Sequence, residues 1–169
     1  MGVGEAQRNL GSTDEARRAF VEAQRLYAEV ESPLGQAEAY QGEAQTAMTA
    51  EPPKFEVANK RYARALELVE QVGTGLKDAG QRVSFFDRAA SLYSEAIYAA
   101  VRQEDNERAL ELTHGYAGRA GKAGRSAAGQ RLREYEQLIP TKGNELTKEE
   151  IERNKGYIRT LGDARRALG

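Results

Sequence analysis

His114 is the only histidine in the chain, and there is no cysteine. An imidazole can serve as a general base or a metal ligand, but both roles need partners at defined spacing. No second histidine or cysteine stands at ligand spacing from His114, which directly follows an apolar-face position on a predicted helix and is expected to face solvent. Residues 115–129 (GYAGRAGKAGRSAAG) invite comparison with a phosphate-binding loop. That loop needs four residues between its first glycine and Gly-Lys, followed by Ser or Thr. Here five residues separate Gly115 from Gly121-Lys122, Ala123 follows, and no strand precedes them. Close helix approach or a locally flexible joint is the better reading.

Arg119, Lys122 and Arg125 recur every third residue, with Arg131 and Arg133 beyond them. Such a row could contact phosphates, but no aromatic residue is interleaved for base stacking. The acidic stretch 145–152 lies close enough in sequence to answer it, so no nucleic acid is expected. Glu22, Glu29, Glu38, Glu43, Glu67 and Glu70 fall beside arginine, lysine or glutamine on predicted polar faces. They read as helix-surface charge, not a catalytic dyad. Together these residues predict no enzyme, no metal and no cofactor.

Composition agrees with a helical, non-catalytic chain. The 169 residues suit one ordinary domain, with 25 basic and 26 acidic side chains interspersed. No strong field directs the chain to a polyanion. No apolar run approaches the ~20 residues of a membrane span. The opening MGVGEAQRNL is neither a signal peptide nor a myristoylation motif. A soluble, cytoplasmic protein away from membranes is expected. Four prolines and an abundance of Ala, Glu, Arg, Leu and Gln predict an all-α fold.

Its elements are organised by a repeat. The helix 14–30 (DEARRAFVEAQRLYAEV) recurs at 56–72 (EVANKRYARALELVEQV), 42 residues on. Ala16 falls on Ala58, Phe20 on Tyr62, Ala23 on Ala65, Leu26 on Leu68 and Val30 on Val72. These positions share one helical face. A face that repeats needs a repeated neighbour to bury it, which is the logic of a helical solenoid.

Taken in order, residues 2–10 predict a short helix stopped by Gly11, with a Ser12–Glu15 capping box starting the next at about 13–30. Pro33 opens a third helix over 34–49, whose apolar face is Ala37, Tyr40, Ala44 and Ala47 or Met48. Pro52-Pro53 ends it. A fourth runs over 54–72 and is closed by Gly73-Thr74-Gly75. A fifth, single helix runs from about 78 or 81 to 103, carrying Phe85, Phe86, Leu92, Tyr93 and Ile97. A sixth spans 107–120, where Ala109, Thr113 and Tyr116 form a worn third copy of the motif. Ala128, Leu132, Tyr135 and Ile139 then predict a seventh helix ending at Pro140. A Thr147–Glu150 capping box starts a final one, with a narrow seam at Ile151, Ile158, Leu161 and Leu168. That seam suits a capping helix or a self-association surface that would make the chain a homo-oligomer.

A short helix, a tight polar turn and Ala-x3-aromatic-x2-Ala resemble the tetratricopeptide repeat (TPR) family over residues 2–120. Gly4, Ala44 and Ile97 match the family's small position, and Tyr40 and Tyr93 its bulky one. The resemblance implies a right-handed solenoid of antiparallel helix pairs (about 2–30, 34–72 and 78–120), followed over 121–169 by a helical hairpin or cap. It implies a scaffold that binds a protein or peptide in a concave groove. Carried over, the groove positions are Glu5, Arg8 and Asn9 in the first helix. They fall on Glu38, Gln41, Gln45 and Met48 in the third, and on Ser91, Ser94, Tyr98 and Arg102 in the fifth. Only Asn9 matches the family's carboxylate-gripping residues in kind, so a mixed-polarity segment is a better ligand than a free carboxyl terminus.

A second resemblance lies in QRVSFFDRAASLYSEAIYAAVRQEDNERALEL, carried by Arg82, Phe85, Phe86, Leu92, Tyr93 and Ala109. It is similar to the helical region that precedes caspase-like CHAT peptidase domains in bacterial repeat proteins. It implies the alternative of a regulatory arm whose catalytic domain lies outside this chain. The first helix also lacks the bulky amino-terminal half of a family first helix. The expectation is that Met1 lies inside a longer protein, the rival being a naturally short helix.

The repeat makes one quantitative demand. Truncating Phe20 or Tyr62 to alanine should cost about 3–5 kcal/mol in urea-induced unfolding. A loss below ~1 kcal/mol at both would remove the basis of the repeat.

Overall fold

The computed structural model of the chain describes residues 2–9 and 11–120. Every described element is an α-helix: α1 (Gly2–Asn9), α2 (Thr13–Glu29), α3 (Pro33–Thr49), α4 (Phe55–Gly75), α5 (Ala79–Arg88), α6 (Ala90–Arg102) and α7 (Asn106–Ala120). The expected helices over 128–139 and 147–168 lie outside the described residues. The chain divides into two compact units, Met1–Leu76 and Lys77–Gly169.

In the first unit, short turns join helices that pack on their chain neighbours, so successive helices run antiparallel. Gly11, at φ +77°, takes the left-handed stop after α1. Gly11 N–H donates to Arg8 O (3.0 Å) and Ser12 N–H to Gln7 O (2.9 Å), which satisfies the carbonyls at the helix end. The Ser12–Glu15 capping box does not form. The Ser12 side chain makes no cap bond, and the Glu15 carboxylate is taken instead by Arg18 at 3.1 Å. At the start of α3 the Ser32 hydroxyl accepts from Gly35 N–H (3.3 Å), with Pro33 in the first turn as expected.

The core of this unit is a ring set between glycines. Phe20 of α2 is wholly buried. A Cβ on Gly4 of α1 would stand 2.9 Å from the ring, and one on Gly42 of α3 would overlap it. Two helices can approach the same aromatic side chain because neither presents a side chain there. Gly35 does the same for Tyr27 at the other end of α2. Tyr62, the counterpart of Phe20 on α4, is also buried, as are Ala58, Ala65 and Leu68.

α3 is buried on more than the single expected face. Ala37, Ala44 and Ala47 are buried as predicted, but so are Ala39, Gly42, Glu43 and Thr46. α3 packs against α1, α2 and α4 together, and its small residues permit that. α4 runs on through Gly73 to Gly75, a turn beyond the expected stop. Thr74 Oγ1 donates to Glu70 O (2.9 Å) within that turn.

In the second unit, α7 packs against both α5 and α6. The single helix expected over 78–103 is broken at Ala89, where Leu92 N–H donates to Ala89 O (3.0 Å) in a tightened i to i+3 bond. Bending there turns two shorter segments toward α7. Thr113 is too small to fill the aromatic position of the motif, and its hydroxyl donates to Ala109 O (2.8 Å). Tyr116 fills the space instead, its ring centroid 5.3 Å from that of Tyr93.

The glycine slot is testable by substitution. Gly42→Ala should destabilise by about 1–3 kcal/mol through overpacking against Phe20, in spite of alanine's better helix propensity. Gly75→Ala has open space around it and should be neutral or stabilising by up to ~1 kcal/mol. Urea unfolding of the pair measures both, and equal effects would show that Gly42 is not a packing glycine.

Candidate functional site

The expected groove residues fall on both units. On α1, Glu5 is exposed and Arg8 half-buried, and Asn9 is the last residue of the helix. On α3, Glu38 is exposed, while Gln41, Gln45 and Met48 are half-buried. The structure joins two of these across helices: Arg8 Nη1 donates to Gln45 Oε1. This contact joins the carboxy-terminal turn of α1 to the carboxy-terminal half of α3.

In the second unit Ser91, Ser94 and Tyr98 are half-buried on α6 and Arg102 is exposed. Arg102 Nη1 donates to the Tyr98 hydroxyl (2.8 Å). Its guanidinium carbon lies 5.7 Å from the ring centroid, within cation–π range. A phenol held beside a guanidinium, with two serines upstream, can bond to backbone amides or stack on a planar side chain.

Carboxylate placement departs from the sequence reading at one residue. Glu22 and Glu29 flank Arg25, and Glu67 pairs with Arg64 at 2.6 Å, all on exposed surface. The Arg25 hydrogen bond holds Glu22 below the ordinary carboxylate value, and the Lys60 ammonium does the same for Glu56. Glu67 raises Arg64, with Tyr40 of α3 adding to the effect. Pairs this exposed are screened by water and contribute little to stability.

Glu43 is different. It is 3 % exposed, and its Oε2 accepts from Gln24 Nε2 of α2 at 2.9 Å. Arg61 Nε of α4 lies 3.0 Å from the same oxygen. One buried carboxylate therefore ties α2, α3 and α4 together, and the expectation of a surface charge is corrected. The repeat could not reveal this, because Arg61 and Gln24 fall on Ala19 and Leu66 in the other copy. The available signal was the flanking Gly42 and Ala44, which mark a helix surface too closely approached for solvent.

His114 is exposed on α7. Among the described residues, no three His, Asp or Glu side chains cluster closely enough to hold a metal ion, and no helix is long and apolar enough to cross a membrane. Of the basic row, only Arg119 is described; it donates from Nη1 to Gly115 O (2.7 Å). Lys122, Arg125, Arg131 and Arg133 lie outside the described residues. No protein-family model, curated protein or solved structure matches this chain.

Removing the Arg61 cation would leave the Glu43 carboxylate buried with one amide donor. Arg61→Met should cost on the order of 2–3 kcal/mol, less than for a wholly enclosed pair because the Arg61 side chain is 42 % exposed. The double variant Glu43→Gln, Arg61→Met should recover part of that loss in urea unfolding. No recovery would mean that Arg61 acts through packing alone.

Proposed function

We propose that the chain is a protein-interaction scaffold of tetratricopeptide-like helix pairs. It takes a peptide or protein segment along the face carried by α1 and α3, the first helices of the two pairs in the first unit. The Arg8–Gln45 bond carries this reading: it sets α1 and α3 side by side, as the first helices of successive pairs stand in a solenoid. The packing of α3 on α2, α4 and α1 supports the same arrangement, as does Gly4 against Phe20.

The face is mixed in character. Exposed Glu5 and Glu38 stand with Arg8, Gln41, Gln45 and the thioether of Met48. Such a surface suits an extended or helical segment that offers amide hydrogen bonds, a basic side chain and one apolar contact. It offers no concentrated positive charge for a free carboxyl terminus or a phosphate. The scaffold would act by positioning its ligand, without chemistry of its own.

Affinity capture from an extract of the source cells, using the full chain and its variants, tests this. Proteins retained by the native chain should be lost with Glu38→Lys and with Gln41→Ala, and kept with Arg18→Ala on α2. Capture of the same proteins by all variants would place binding elsewhere.

A further inference from the structure

We draw no further inference here: the strongest candidate, the buried side-chain cluster of Gln24, Glu43 and Arg61 where α2, α3 and α4 meet, belongs to the helix packing already described, its carboxylate being held by the other two side chains.

Discussion

The first unit depends on letting two helices touch one aromatic ring. Phe20 lies between Gly4 and Gly42 with no Cβ on either side, and it is wholly buried. A ring of that size contributes much of the apolar burial available to four short helices. It does so only if α1 and α3 approach α2 more closely than ordinary side chains allow. The small residues of α3 follow from the same constraint, because a helix approached by three others has little room for large side chains on any of them.

Close approach has a polar consequence. Once α2, α3 and α4 meet around Glu43, its carboxylate leaves solvent and must be answered. Gln24 of α2 and Arg61 of α4 both reach its Oε2. Their net contribution to stability is modest, since desolvation offsets most of the attraction. The arrangement still discriminates: a one-residue slip of α4 would move Arg61 away and leave the carboxylate buried alone. The same unit thus combines a nondirectional contact that sets helix distance with a directional one that sets helix register.

Much of this was legible in the residues. The 42-residue repeat, the Gly11 stop and the Pro33 start place α1 to α4 within a few residues of their observed bounds. The repeat also picks out Phe20 and Tyr62 as buried. Other features were not legible because they break the repeat. Gln24 and Arg61 fall on Leu66 and Ala19 in the other copy, so nothing in the repeat draws notice to them. The turns after α2 and α6 place Glu31 and Glu104 in the left-handed region, where glycine is the usual signal. The bend at Ala89 has no proline or glycine to announce it. The Arg8–Gln45 bond joins α1 to α3 and could not be read from either helix alone, whereas Tyr98 and Arg102 stand four residues apart on α6, a spacing the sequence shows.

Sequence by itself determined the helical class, the motif register and the boundaries of α1 to α3, since periodicity, capping and breaking act over a few neighbouring residues. Tertiary structure decided which members of the motif are buried. Leu26 and Leu68 occupy the same place in the repeat, yet one is exposed and the other enclosed. Burial of a side chain depends on what another part of the chain brings to it, and no pattern within one helix records that.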